Sequence, residues 1–166
     1  MVRSWNKTYN LTTVITNCSN NYGPYQYEEK LIPLVIKKSL ELSDIPIYGD
    51  GLNIRDWLFV DDHCDAIYTI IKKGLSGQSY NIGGNNQVSN LEIVKKICAI
   101  LDYKRPRSDS KKYSNLIKLV NDRPGHDRRY AVDFSKISQE LLWRPKHTFD
   151  TGIEKTISWY LENKGW

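Results

Sequence analysis

Residues 46–62 read P-I-Y-G-D-G-L-N-I-R-D-W-L-F-V-D-D, and they must fit a strand end, a tight turn, a second strand and a helix start into one short span. Pro46-Ile47-Tyr48 is an apolar run stopped by Gly49-Asp50-Gly51, a strong turn signal. Residues 54–60 are rich in β-formers, and Leu58-Phe59-Val60 is continuous rather than alternating, which predicts a strand with a buried end. Asp61-Asp62 are then expected to cap an amphipathic helix with Ala66, Ile67, Ile70 and Ile71 on one face. Arg55 lies inside the strand. Its guanidinium is either ion-paired with Asp56 or Asp61, or it marks an anion site, because the fork matches a phosphate or a carboxylate.

Upstream, residues 2–9 read as the end of a helix, with Trp5 and Tyr9 one turn apart and Asn10 in the C-cap position. Residues 11–16 form a β-branched run typical of a parallel sheet. They lead into N-C-S-N-N-Y-G-P at 17–24, expected as a loop at the carboxyl edge of the sheet, where open α/β sheets bind ligands. Asn side chains there either read a sugar hydroxyl or a carboxamide, or close Asx-turns. Residues 28–42 read as a helix with Leu31, Leu34, Val35 and Leu40 inward and Pro33 in the first turn. Lys30, near its start, opposes the helix dipole, so it is either solvated or facing an anion.

Downstream, Tyr80-Asn81-Ile82 is a short strand breaking into Gly83-Gly84, which is no dinucleotide fingerprint. Ser89-Asn90-Leu91-Glu92 is a capping box for a helix with Leu91, Val94, Ile97, Cys98 and Leu101 inward. Residues 103–115 read as an exposed basic loop, 116–120 as a strand, and 135–142 and 149–163 as helices, the last opened by Thr151 and Glu154. Between them N-D-R-P-G-H-D-R-R-Y at 121–130 is a dense polar cluster. It is either a self-satisfied salt-bridge loop or a phosphate clamp.

Charge narrows the partners. The net charge is +5, and residues 103–129 hold nine Lys or Arg against three Asp. A local patch on a near-neutral body fits a discrete anionic ligand better than a long polyanion. A stand-alone nucleic-acid or protein-binding module remains as a contrasting class, but no nucleic-acid motif supports it. No apolar run reaches the roughly 20 residues of a bilayer span. Cys18, Cys64 and Cys98 are odd in number and widely spaced, suiting reduced thiols in a cytosol. His63, His126 and His147 do not fall at zinc-ligand spacing with them, so no metal site is expected.

T-N-C-S-N-N-Y-G-P, E-K-L-I-P, P-I-Y-G-D-G-x-N-I-R-D-W, Y-N-I-G-G and D-R-P-G-H-D-R-R-Y, in that order, resemble the dTDP-glucose 4,6-dehydratases of the extended short-chain dehydrogenase/reductase group. The related UDP-sugar epimerases and decarboxylases share only parts of these strings. The resemblance implies an α/β fold: the carboxyl-terminal substrate-binding part of an extended Rossmann-type enzyme, with edge strands of the Rossmann sheet but without the NAD-binding glycine-rich unit. It implies that Asn20 contacts the sugar and that Asn21 lies against NAD. Lys30 and Leu31 would line the diphosphate and nucleotide pocket, and Pro46, Ile47 and Tyr48 would flank the thymine. Arg55 would hold the diphosphate, Asn90 would meet the nucleotide, and Asp122, Arg123, Pro124, Gly125 and His126 would close over both.

Family members oxidise C4 by hydride transfer to NAD, lose water across C5–C6 and return the hydride. They use a Tyr-x-x-x-Lys pair and a Thr-Asp-Glu group, and neither has a counterpart in context here. The expectation is therefore a single unit, 1–166, that belongs to the carboxyl-terminal portion, with residues 1–10 the remnant of the Tyr-x-x-x-Lys helix. It would carry no catalytic residue, bind a dTDP-sugar but not NAD by itself, and show no dehydratase activity alone. Its partner would be the amino-terminal half as a separate chain, or a second copy through apolar surface near residues 11–15. No membrane or nucleic-acid partner is expected.

Overall fold

The structure is a computed structural model that describes residues 1–163. The chain opens with α1 (Val2–Tyr9), β1 (Ile15–Cys18), β2 (Asn20–Tyr22), α2 (Leu31–Leu40) and β3 (Ile45–Tyr48). It continues through β4 (Ile54–Phe59), α3 (Val60–Lys73), β5 (Ser79–Ile82), β6 (Gln87–Ser89) and α4 (Asn90–Lys104). A 3-10 turn (Tyr113–Leu116), β7 (Ile117–Val120), β8 (Arg129–Tyr130), α5 (Ser135–Leu141) and α6 (Phe149–Glu162) follow.

β4 is the hub. It runs parallel to β2, with Asn20 opposite Trp57, and parallel to β8, with Ile54 opposite Arg129. It also runs antiparallel to β6, with Ile54 opposite Ser89. Two further parallel pairs, β1 with β5 and β3 with β7, stand beside it. The larger core packs α2, α4 and α6 over β2, β3 and β4 around Tyr22, Ile36, Ile97 and Ile153. The smaller joins Tyr80 and Ile82 of β5 to Ala66, Ile70, Ile137 and Trp143. Among the described residues no helix is long and apolar enough to cross a membrane.

Local signals hold where the chemistry is local. Asn10 takes the left-handed conformation (φ 53°) that ends α1, and Gly49 and Gly51 turn the chain after β3 with φ of 60° and 71°. Ser89 accepts the Glu92 N–H while Glu92 reaches back to the Ser89 N–H, so the capping box is complete. Ser89→Ala is expected to cost about 1 kcal/mol in urea unfolding; an unchanged midpoint would mean that the box carries no stability.

Other boundaries move. The strand expected at 11–16 begins only at Ile15, because its partner β5 begins at Ser79. The residues before it are tied to the 75–78 turn instead, with Gly77 donating to Thr13 O and Asn6 to Leu11 O. The polar segment 17–24 is not all loop. Asn20–Tyr22 pair with β4, since a ladder needs backbone groups and not apolar side chains. α2 is shorter than 28–42, and its buried face is Ile32, Pro33, Val35, Ile36 and Ser39. Leu31, Leu34 and Leu40 are only half-buried; the first two turn toward the cavity described below.

Asp61 and Asp62 do not cap α3, which starts from Phe59 without a side-chain cap. Asp62 is buried and accepts both the His147 N–H and a His147 Nδ1 contact, each at 3.0 Å, pinning the approach to α6 onto α3. Only Ala66 and Ile70 of the expected apolar face are buried, and Ile71 is 74 % exposed. Within 103–115 Tyr113 is buried, its hydroxyl donating to Arg105 O at 2.9 Å. α6 is capped by Thr148 rather than Thr151, whose N–H is the donor.

Candidate functional site

The head of α2, the end of β3, Arg55 and Trp57 of β4, the start of α4, β2 with the segment that follows it to residue 26, and the 121–127 loop enclose a cavity of about 490 Å³. That is within the usual range for a small-molecule pocket. Its apolar wall is Leu31 and Leu34 from α2 with Pro46, Ile47 and Tyr48 from β3. Asn20, Asn21 and Asn90 supply neutral polar groups, and Lys30, Arg55, Arg123 and His126 supply cationic or titratable ones. Eleven positions singled out from sequence thus meet in one cleft, although they come from six separate stretches of chain.

Arg55 sits in the wall at 9 % exposure. It pairs with neither Asp56 nor Asp61. Its Nη1 donates to Ile54 O and its Nη2 to Asp127 O, both at 2.8 Å, so carbonyl dipoles hold the fork and no carboxylate among the described residues pairs with it. Asp56 is occupied elsewhere, accepting the Gly84 and Asn86 N–H groups at 2.9 and 2.8 Å. A buried cation without a counter-ion is costly and becomes favourable when an anion arrives. Arg123 has no side-chain partner among the described residues, and Lys30 touches only its exposed neighbour Glu29, at 2.8 Å. The cleft is electropositive.

The 121–130 loop is fastened by its own polar contacts and also presents two residues to the cavity. Arg128 pairs with Asp50 at 2.9 Å and Arg129 with Gln87 at 2.6 Å, and these contacts fasten the loop. Arg123 and His126 face the cavity. Asp122, Pro124 and Gly125 do not line it. Asp122 lies behind His126, with its Oδ1 2.7 Å from Nδ1, and this contact holds the Asp122 carboxyl below its usual range. Pro124 and Gly125 are exposed, Gly125 at φ 69° with open space around it. Gly49 makes room for the arrangement, since a Cβ there would come within 2.9 Å of Asp122 Oδ2.

Four wall residues escaped the sequence reading: Gln26, Glu29, Leu34 and Trp57. Only Trp57 carried a usable signal, being two residues from Arg55 and so on the same face of β4. Asn21 Oδ1, Gln26 Oε1 and Trp57 Nε1 are buried polar atoms without a partner among the described residues, and all three belong to residues of this wall. Asn21 Oδ1 suits a carboxamide N–H such as that of a nicotinamide. Gly83-Gly84 leads through a turn into β6 and does not open a helix, so this pair is not a pyrophosphate loop.

Residues 1–156 match the protein-family model described as GDP-mannose 4,6 dehydratase. A dTDP-glucose 4,6-dehydratase of Xanthomonas campestris pv. campestris is 55 % identical over the whole of this chain, which covers 47 % of the relative. Among solved structures, the dTDP-glucose 4,6-dehydratase of Bacillus anthracis in complex with NAD superposes with a TM-score of 0.87 at 47 % identity. That match covers 99 % of this chain and 50 % of the other. The Streptomyces venezuelae dehydratase, also with NAD bound, gives a TM-score of 0.89 at 41 % identity, covering 99 % and 48 %. The chain thus has the mixed α/β, parallel-stranded fold of these Rossmann-type enzymes, and it spans about half the length of the curated relatives it matches.

Proposed function

The chain belongs to the family described as GDP-mannose 4,6 dehydratase, and from that premise we propose that its cleft is the nucleotide-diphosphate site of a dTDP-glucose 4,6-dehydratase. The observation that carries this reading is Arg55: a buried guanidinium with no carboxylate, opening on a cavity whose other wall is apolar. In this reading Arg55, Arg123 and Lys30 take the diphosphate, and Leu31, Pro46, Ile47 and Tyr48 take the thymine. Asn20 takes the sugar, Asn90 the nucleotide side, and Asn21 the edge of NAD. Pro124 and Gly125 form the turn that carries Arg123 and His126 over the ligand.

The reaction of such an enzyme converts dTDP-glucose to dTDP-4-keto-6-deoxyglucose and water. These 166 residues bind and orient the substrate. The hydride and proton transfers require a Tyr-Lys pair and a Thr-Asp-Glu group, to which we assign no position here. The reading includes a cytosolic setting, supported by three thiols that form no disulfide. It also includes a protein partner, a further polypeptide or a second copy. That partner would cover Trp5, Tyr9 and Leu11, which are 52, 63 and 46 % exposed beside β1.

Calorimetric titration of the chain with dTDP tests the assignment. Saturable binding is expected, with UDP about tenfold weaker because an apolar wall gains from the thymine methyl, and with no heat from NAD. Absence of saturable dTDP binding would sink the reading. A preference for UDP would move the chain toward the UDP-sugar epimerases.

A further inference from the structure

His126 is held by one nitrogen. Nδ1 lies 2.7 Å from Asp122 Oδ1, and the side chain is 5 % exposed. Nε2 has no partner among the described residues, yet it is not among the atoms sealed from solvent. Asp122 is fixed in turn, accepting the Arg123 N–H at 2.9 Å and lying against Gly49. Its carboxyl is held below the usual range, first by the contact with His126, so near neutrality it is an anion. An ionised carboxylate only accepts hydrogen bonds. The hydrogen therefore sits on Nδ1.

That assignment decides what Nε2 offers the cavity. A neutral imidazole has one N–H. With it committed to Asp122, Nε2 presents a lone pair, and the oxygens of a diphosphate are acceptors as well. Contact between them requires a second hydrogen on the ring. The charged and titratable groups around it are Asp122 on its own loop, Arg123 beside it, Arg55 from β4, Lys30 and Glu29 at the head of α2, and Tyr48 closing β3.

We propose that Asp122 is a positioning residue that commits the Nδ1 hydrogen of His126, so that a nucleotide diphosphate seated at Nε2 binds together with about one proton. The proton comes from solvent to Nε2, and no bond of the ligand is made or broken. The inference rests on the nucleotide-diphosphate reading above and adds a proton stoichiometry to it.

The test is titration of the whole chain with dTDP-glucose, both of whose phosphates are esterified and do not titrate near neutrality. It is run at about pH 8, above the ordinary imidazole range, in buffers of different ionisation enthalpy. The observed enthalpy is expected to vary with the buffer, with a slope of about one proton taken up. His126→Gln should bind with a slope near zero. Asp122→Asn should bind with a reduced slope, because its amide can donate to Nδ1 and let a neutral ring carry its hydrogen on Nε2. A purely structural Asp122 would not change the slope.

A buffer-independent enthalpy in the unaltered chain overturns the proposal, as does an uptake that survives in His126→Gln. Imidazole ¹⁵N shifts of the unaltered chain need no variant to fold: Nε2–H with a bare Nδ1 in the neutral free state also overturns it. No binding of dTDP or dTDP-glucose in any buffer removes the nucleotide reading itself, and this inference with it.

Discussion

Arg55→Met weakens dTDP binding about 100-fold, the loss expected when charge-assisted hydrogen bonds to an anion disappear from a buried site. Methionine keeps the apolar stem and its volume, so the wall behind Trp57 stays filled. The folded chain loses two hydrogen bonds, to Ile54 O and Asp127 O, but it also sheds a buried cation without a counter-ion. These changes oppose one another, and stability in urea should move by no more than about 1 kcal/mol. Arg55→Lys separates charge from geometry. An ammonium cannot reproduce the fork, so intermediate affinity is expected. Unchanged affinity in Arg55→Met, measured by calorimetry on a folded variant, would place the ligand elsewhere.

Gly84→Ala is the most destabilising single change expected. A Cβ at Gly84 would lie 1.8 Å from Trp57 O and 3.0 Å from Leu58 Cα, so the obstruction is the backbone of β4. No rotamer relieves it. Either the Gly83-Gly84 turn gives up the Asp56 carboxylate, which accepts the Gly84 N–H at 2.9 Å, or β4 shifts and disturbs three strand pairings. A loss of about 4 kcal/mol, roughly 8–16 °C in Tm for a chain of this size, follows. Gly125→Ala is the contrast. Nothing lies within 4 Å of its Cβ, and only the left-handed φ of 69° penalises it. A Gly84→Ala variant as stable as Gly125→Ala would contradict the packing at β4.

The two glycines illustrate what sequence could and could not reveal. Gly49-Asp50-Gly51, the Ser89 capping box and Asn10 were legible because the chemistry that decides them lies within a few residues. The cleft was legible in part, through the oddity of a guanidinium in an apolar strand. Its partner was not: Asp127 lies 72 residues away and contributes a carbonyl, which every residue possesses. Asp62 looked like a helix cap because its true partner, His147, is 85 residues distant. Leu31 and Leu34 fit a helical stripe equally well facing a core or facing a cavity, and periodicity alone does not tell the two apart. β2 was hidden because the two asparagines read as loop; the strand forms because its backbone pairs with β4 while the Tyr22 ring packs against Trp57 and Phe59.

The staples of the cleft also set when it comes into being. Arg55 to Asp127 and Asp50 to Arg128 close intervals of 72 and 78 residues, and the parallel pairings of β1 with β5 and β3 with β7 are comparably remote. Such closures cost chain entropy before they return any contact energy, which slows folding. On a ribosome, α2 and β4 emerge long before the 121–130 loop, and until it arrives Arg55 has no Asp127 carbonyl to hold its fork. The Arg55 fork is therefore held in place only after residues 121–130 have been made. A ligand that depends on the fixed fork would meet only chains in which residues 121–130 had already docked onto β4.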